Sequence, residues 1–358
     1  MNEDVRKRLL GPEDTIEQSE QSRILDPQSA IEDELLGASL RPRRFEEYVG
    51  QANVVENLRI AIDAANKRDE PLEHVLFYGP PGLGKTTLAA LIAREMGVSL
   101  RPTSGPTLDK PKDLVGILTS LEHGDILFID EMHRLGRIVE EFLYPAMEDF
   151  QIDFIVDRGA YAKTLKLPLK RFTLVGATTR AGMLSAPLRD RFGIVHHLDY
   201  YENGDLEKIV ARSAGVLEVP IDAGGCSAIA ARSRGTPRIA NRLLRRVRDY
   251  AQVRGDGRIS AALAEEALGR EGVDAGGLDR LDRAYLRALI GQYRGGPAGI
   301  AAIAATLTQD AETLEDVVEP FLLKSGLIIR TGAGRKATAA GYAAIGENAP
   351  AGEPERFL

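Results

Sequence analysis

The sequence predicts an α/β fold: a parallel sheet with helices on both faces, followed by a small helical domain and a winged-helix domain. Three observations predict it. Short apolar β-type runs alternate with helical patterns between about Leu40 and Tyr201, the order that builds a parallel sheet through crossover connections. From Asn203 to about Gly272 only helical periodicity remains. Past Asp274 three helical stretches precede a hairpin pattern centred on Thr331–Gly334, the order of a winged helix. The expected divisions are 1–36, a flexible acidic tail; 37–201, the large α/β domain; 202–273, the helical domain; and 274–358, the winged helix.

The ordered part is expected to begin near Leu40-Arg41-Pro42. Its strands are Val75–Tyr78, Ile126–Ile129 and Phe172–Gly176, with Ile194–Leu198 a further candidate. Thr87–Ala93 reads as a helix directly after the first strand and its glycine-rich loop. The helical domain offers Asp205–Ala214, Gly225–Ser233, Pro237–Val253 and Ile259–Leu268, with Pro237 suited to a first turn. In the last domain Leu278–Gln292, Ala298–Leu307 and Ala311–Lys324 read as helices, and Gly326 breaks the pattern. Leu327–Arg330 and Arg335–Thr338 then flank a turn.

Composition narrows the class. Of 358 residues 44% are hydrophobic, enough for substantial cores. A single cysteine, Cys226, excludes an intramolecular disulfide and a cysteine-built metal site, and suits a small buried apolar position. No apolar run resembles a signal peptide or a membrane span, so a cytoplasmic protein is expected. The net charge of -7 argues against a bulk attraction to nucleic acid. Residues 1–36, however, hold ten acidic and four basic side chains and thus -6 of that charge. The remainder is near neutral, and any DNA contact must come from local basic clusters.

Gly79–Thr87 fits G-x-x-x-x-G-K-[ST] between a strand and a helix. That geometry aims backbone N–H groups and a positive helix end at a phosphate. Lys85 supplies a point charge for the outer phosphates, and the Thr86 hydroxyl suits Mg²⁺. Asp130 and Glu131 end an apolar strand 45 residues after Lys85. Asp130 is placed to accept Mg²⁺-bound water and Glu131 to activate the water that attacks the γ-phosphate. A solvated acidic turn is the plainer alternative. Thr179, at the exit of the next strand, is the candidate γ-phosphate sensor, although a strand-end threonine often makes only a turn hydrogen bond.

Arg191, in Leu188–Gly193, and Arg238, in Gly235–Arg238, could each reach phosphate, Arg191 in a neighbouring subunit and Arg238 across the domain cleft. Arg242, Arg245, Arg246 and Arg248 fit a solvated helix face. Arg330 and Arg335 bracket the hairpin tip, where cations meet DNA phosphates without reading sequence. The plainer reading makes them surface arginines.

With these residues in view the chain resembles the AAA+ ATPases, and among them the RuvB family of bacterial Holliday-junction branch-migration motors. The matching text runs from Leu40-Arg41-Pro42 and Tyr48–Gln51 through the phosphate loop, Thr103–Pro106, Asp130–Arg134, Tyr144–Phe150, Gly176–Gly182 and Leu188–Gly193 to Gly235–Asp249. It covers about residues 35–345. The resemblance implies a homohexameric ring on duplex and four-way-junction DNA, with ATP and Mg²⁺ at subunit interfaces and RuvA and RuvC as partners. Its residue roles carry over by position. Leu40, Arg41 and Tyr201 would line the adenine. Gly82, Gly84, Lys85, Thr86 and Thr87 would hold phosphates and metal. Glu148, Asp149 and Phe150 would lie near nucleotide. Arg191 would be an arginine finger acting in trans, Arg238 a second sensor, and Arg330 and Arg335 DNA contacts.

Two departures stand out. The family's wing usually reads Arg-Thr-Pro-Arg-Gly-Arg, whereas Arg330–Arg335 here lacks one cation at the tip. Asp153–Pro168, where the family carries its RuvA-binding hairpin, contains Asp157–Tyr161. Other readings are a clamp-loader-like AAA+ factor, whose Ser-Arg-Cys finger is absent, and a nucleotide-switched DNA-binding regulator, which the Asp130–Glu131 pair opposes.

Overall fold

The structure is a computed structural model that describes residues 39–155 and 164–350. The proposed acidic tail and the Asp157–Tyr161 hairpin tip lie outside the described residues.

Five strands form a parallel sheet: β1 (Val75–Tyr78), β2 (Leu100–Ser104), β3 (Ile126–Asp130), β6 (Thr173–Thr178) and β7 (Ile194–His197), in the order β2-β3-β6-β1-β7. Strands β4 (Gln151–Ile155) and β5 (Thr164–Pro168) form a separate antiparallel hairpin. Strand β2 was absent from the sequence reading. It carries Pro102 and has no buried residue, two of its five being exposed, which hides its periodicity. Its edge position tolerates the missing N–H of proline.

Side-chain alternation assigns the strand residues to two cores. Val75, Phe77, Ile126, Phe128, Val175 and Ala177 face one, under α1 (Ala52–Arg68) and α2 (Lys85–Met96). Leu76, Leu127, Ile129 and Leu174 face the other, under α3 (Pro111–Thr119) and α4 (Arg137–Glu148). Strands buried on both faces read as continuous apolar runs, which is why β1, β3 and β6 were visible in the sequence. The short α5 (Ala186–Arg189) leads into β7. His74 ties the C-terminal end of α4 to the sheet: its Nδ1 accepts from the Leu174 N–H at 2.9 Å, and its Nε2–H donates to the Met147 carbonyl at 3.0 Å. Burial lowers its pKa and favours this neutral form.

The helical domain comprises α6 (Asn203–Val216), α7 (Ala223–Ala231), α8 (Pro237–Arg254) and α9 (Ala261–Arg270). Its apolar residues, among them Leu206, Ile229 and Leu244, join the core on the α1–α2 side of the sheet. Cys226 is buried there.

The last domain has its own core, centred on Tyr285, Leu289, Ile303 and Leu322. It contains α10 (Arg280–Arg287), α11 (Ile300–Leu307), α12 (Glu319–Lys324), a hairpin of β8 (Ile328–Thr331) and β9 (Gly334–Ala337), and α13 (Ala339–Ala344). The expected helix Ala311–Lys324 is instead a helical turn, a π segment at Leu314–Val318 and then α12. Pro320 has no N–H to return to the Asp316 carbonyl, so regular α-bonding is interrupted there. Arg234 joins the helical domain to this one, its guanidinium reaching Asp279 at 2.7 Å and Asp282 at 2.5 Å.

Candidate nucleotide site and DNA-facing hairpin

The C-terminal ends of β1, β6 and β3 lie side by side, where open α/β sheets hold ligands. The loop after β1 curls through positive φ at Gly79 (140°), Gly82 (80°) and Gly84 (100°), conformations that glycine adopts without Cβ strain. It delivers Lys85, Thr86 and Thr87 as the first turn of α2. Lys85 is 8% exposed, and its ammonium donates to the carbonyls of Gly79 and Pro80 at 2.8 Å each. Burial lowers its pKa to about 8 against the pull of Asp130.

The Thr86 hydroxyl donates to Asp130 Oδ2 at 3.3 Å. Two adjacent oxygen donors suit Mg²⁺, which keeps waters and phosphate oxygens in its remaining positions. Glu131 follows with φ 47°, a left-handed conformation uncommon for a residue other than glycine. Its own N–H donates to Asp130 Oδ1 at 2.9 Å. Gly105 makes room for this turn, since a Cβ there would stand 2.5 Å from the Glu131 carbonyl oxygen.

Thr178 and Thr179 divide the strand end between them. Thr178 is buried, with its hydroxyl 3.0 Å from His133 Nδ1. Thr179 instead lines a cleft of about 750 Å³ with Gly79, Pro80, Glu131 and Arg180.

The helical domain closes on the loop. The Arg238 N–H donates to the Gly82 carbonyl at 3.4 Å, and a Cβ at Gly82 would sit 3.0 Å from that of Arg238. Tyr201 donates to the Tyr48 hydroxyl at 2.9 Å and to the Leu83 carbonyl at 3.3 Å, and Tyr48 reaches the same carbonyl at 3.4 Å. Burial pushes the Tyr201 phenol up to about 12, so the pair stays neutral. Leu40 is buried and Arg41 exposed.

Arg191 lies elsewhere. It donates to Glu148 Oε2 at 2.6 Å and the Pro187 carbonyl at 2.7 Å, and its guanidinium lies 4.7 Å from the Tyr144 ring centroid. Glu148 is therefore grouped with Arg191. Asp149 accepts from Gln151 at 3.2 Å, and Phe150 packs against His74 and Phe172.

The hairpin arginines are paired. Arg330 and Arg335 face each other across β8 and β9. Both reach the fully buried Glu319: Arg335 Nε at 2.8 Å and Arg330 Nε at 2.9 Å, with the Tyr285 hydroxyl donating at 2.7 Å. Burial alone would raise the Glu319 pKa, but these hydrogen bonds bring it below the ordinary value. The Arg335 side chain is 14% exposed, whereas that of Arg330 is 49% exposed.

Three family models cover this architecture in order. The RuvB P-loop domain, described as that of a Holliday junction DNA helicase, matches residues 40–198; the RuvB AAA lid domain matches 201–274; the RuvB C-terminal winged-helix domain matches 275–346. The chain belongs to the RuvB family. The RuvB subunit of the Holliday junction branch migration complex from Desulfosudis oleivorans is 61% identical over 308 residues, spanning 86% of this chain and 90% of that protein. Its counterpart from Rubrobacter xylanophilus is 56% identical over 326 residues, 91% of each. The solved Thermotoga maritima RuvB, described as a Holliday junction branch migration motor, superposes with a TM-score of 0.80 at 48% identity, covering 87% of this chain and 100% of that one. The fold is thus an AAA+ P-loop domain with lid and winged-helix domains, and the enzyme class is that of an ATPase.

Sequence reasoning missed several residues around this RuvB site. Tyr48 stood in the matching text without a role, and only the fold brings it to Leu83. Gly105 had the same standing, and its need for glycine arises from a contact with the following strand's exit. Arg180 likewise stood in the matching Gly176–Gly182 without a role, and Glu319 carried no motif. Their partners lie 136 and 16 residues away, Asp316 and Arg335 respectively.

Proposed function

We propose that the chain is an ATP-driven DNA motor that moves Holliday junctions in recombination and repair, working with RuvA as a homohexameric ring on duplex DNA and passing its product to RuvC. The observation that carries this reading is the convergence of Lys85, Thr86, Asp130, Glu131 and Thr179 on the edge of one sheet, with Arg238 of the lid against Gly82. The same chain carries a winged-helix head, an element suited to duplex DNA. Domain divisions at 37–201, 202–273 and 274–358 accompany this reading.

In it Lys85 and the loop N–H groups hold the phosphates of ATP, and Gly82, Gly84 and Thr87 shape the cradle. Thr86 and, through a bound water, Asp130 would hold Mg²⁺, which would neutralise charge on the phosphates. Glu131 orients and deprotonates the attacking water. Thr179 senses the γ-phosphate, Tyr201 with Leu40 and Arg41 borders the base, and Arg238 reports the nucleotide to the lid. Arg191, held on the α4 side by Glu148, serves a neighbour's site, with Asp149 and Phe150 shaping that interface. Arg330, half exposed, meets DNA phosphates, and Arg335 supports it. Among the described residues no helix is long and apolar enough to cross a membrane.

The test is ATP-dependent branch migration of a synthetic four-way junction with and without RuvA. Migration that needs ATP and RuvA and vanishes in Glu131→Gln supports the reading. A parent protein that hydrolyses ATP but never moves the junction rejects it.

A further inference from the structure

Glu140, Tyr144 and Glu148 stand four residues apart on α4, and so on one face of that helix. Each meets the segment that leads into Arg191. Glu140 accepts from the Tyr144 hydroxyl at 3.1 Å and from the Ser185 hydroxyl, and the two hydroxyl oxygens lie 3.0 Å apart. Ser185 is also the N-cap of α5, accepting from the Leu188 N–H at 3.3 Å. The Arg191 guanidinium lies over the Tyr144 ring, 4.7 Å from its centroid. Its Nη1 donates to the Pro187 carbonyl at 2.7 Å and its Nη2 to Glu148 Oε2 at 2.6 Å. The Arg191 Nε is buried and has no hydrogen-bond partner among the described residues, so the ring and these two bonds are what hold the head group.

We propose that Tyr144 is a positioning residue for Arg191: its ring, held by Glu140 and Ser185, keeps the guanidinium where the terminal phosphate of a neighbouring subunit's ATP must meet it. The inference rests on the reading of Arg191 as a residue that serves the neighbour's site, and deepens it.

The ring differs from Glu148 in one respect: phosphate does not compete with it. Glu148 occupies Nη2 with an anion, and a phosphate needs that same N–H edge. The Glu148 side chain is 62% exposed, so the pair is screened by solvent and weak enough to give way. An aromatic face draws the cation through its quadrupole and uses none of the N–H donors. Tyr144 can therefore stay in contact while the edge of the guanidinium changes partners.

An arginine side chain without such a support samples many rotamers and has to be ordered again at each turnover. A cation stabilises the transition state of phosphoryl transfer most when it needs no rearrangement as charge develops. The hydroxyl gives tyrosine its advantage over phenylalanine at this position. Glu140 ties the ring to Ser185, and Ser185 caps the short helix that ends two residues before Arg191. Ring and arginine are thus anchored to one carboxylate.

The experiment mixes two full-length chains, each expected to be nearly inactive alone. The donor carries Glu131→Gln and keeps its arginine. The recipient carries Arg191→Ala and keeps its own phosphate loop and Glu131. ATP turnover of the mixture at a fixed ratio reports the donor's arginine at the recipient's site. Adding Tyr144→Leu to the donor is expected to lower kcat about tenfold and to move KM by less than about twofold, because the support acts as charge develops. Tyr144→Phe in the donor keeps the ring and loses only its tie, so a loss of about threefold is expected. A fluorescent non-hydrolysable ATP analogue should bind the Tyr144→Leu chain as it binds the parent. A loss confined to the donor, larger for Leu than for Phe, supports the inference. Turnover with the Tyr144→Leu donor within about twofold of the unaltered donor overturns it. So does an equal loss when the recipient carries the change, or weaker analogue binding, since either marks a disturbed fold or assembly. Should Tyr144→Leu melt well below the parent, Tyr144→Phe decides: a loss from the donor alone supports the inference, and no loss overturns it. If the unaltered donor and recipient hydrolyse no ATP when mixed, the reading of Arg191 as serving a neighbour falls, and this inference with it.

Discussion

Lys85 is buried and Arg335 is mostly covered, yet the structure treats the two cations differently. Lys85 donates only to two neutral carbonyls of its own loop. Arg335 is bound by the carboxylates of Glu319 and Glu315. Both sets of bonds have an ionised donor, but only Arg335 also gains the Coulomb attraction of an ionised acceptor. A phosphate can displace the carbonyls around Lys85 at little cost, and it restores a charge that burial has weakened. To take Arg335 it must displace Glu315 and remove one of the two cations that hold the buried Glu319. One cation is kept available for a ligand; the other is built into the scaffold. An arginine beside a hairpin tip is thus not by itself a DNA contact, and the more exposed Arg330 is the better placed of the pair.

The largest effect that separates the two regions is catalytic. Glu131→Gln is isosteric and leaves the phosphate cradle intact. Loss of a general base typically costs about 10²–10⁴ in rate, so ATP turnover should fall by about that much while analogue binding persists. Steady-state hydrolysis alongside equilibrium titration checks both halves. Turnover within a few fold of the parent would remove Glu131 from the reaction.

On the DNA side the corresponding change is one of stability. Glu319→Ala would leave Arg330, Arg335 and the Tyr285 hydroxyl without their shared acceptor. Breaking a fully buried ion pair from one side costs about 3–5 kcal/mol; here Arg330 is half exposed and Arg335 keeps Glu315, so the loss should fall below that range. The head should then unfold at markedly lower denaturant, seen by hydrogen exchange at Tyr285 and Leu289, with the ATPase core unmoved. If the head keeps its parent stability, the scaffold role of Arg335 is wrong.

The contrast also explains what the sequence could show. The phosphate loop, the Asp130–Glu131 strand end and the apolar strands β1, β3 and β6 were legible because each is specified by residues close together. Arg238 was legible because Pro237 marks a helix start beside a glycine turn. The Glu319 cluster was not, because Glu319 lies in a stretch that reads as an ordinary amphipathic helix. Its burial depends on Tyr285, 34 residues earlier, and on a hairpin not yet formed. Strand β2 was hidden by Pro102 and by exposure. The Arg180–Asp316 contact joins two domains and leaves no local signature.

A smaller effect sharpens the ligand side of the comparison. Burial holds the free Lys85 ammonium at about 8, and a bound phosphate raises that value again. ATP therefore binds the protonated lysine. Its affinity should be level below pH 8 and fall as pH rises above it, by at most about tenfold per unit. Linkage also gives the sign for folding without nucleotide. The unfolded chain binds more protons than the folded one between the two lysine pKa values, so this group's penalty on stability diminishes as pH rises through that window. Calorimetric titration from neutral to alkaline pH reads the first effect. A flat profile would mean that Lys85 is not the phosphate's charge partner.

The smallest effect concerns the tyrosines beneath the loop. Tyr48 and Tyr201 both donate toward the Leu83 carbonyl, and Gly84 is so close that a Cβ there would stand 2.9 Å from the Tyr48 hydroxyl. Tyr48→Phe keeps the ring and its packing and removes one donor, while Tyr201 still serves the carbonyl. A single neutral hydrogen bond contributes about 0.5–1.5 kcal/mol, and with a second donor in place the loss should lie at the low end. Analogue affinity should weaken about twofold in either single variant. In Tyr48→Phe/Tyr201→Phe, Leu83 loses both donors, and the loss should exceed the sum of the two. A double variant that is merely additive would show that the phenols act separately on the loop, and that their shared carbonyl does not set its shape.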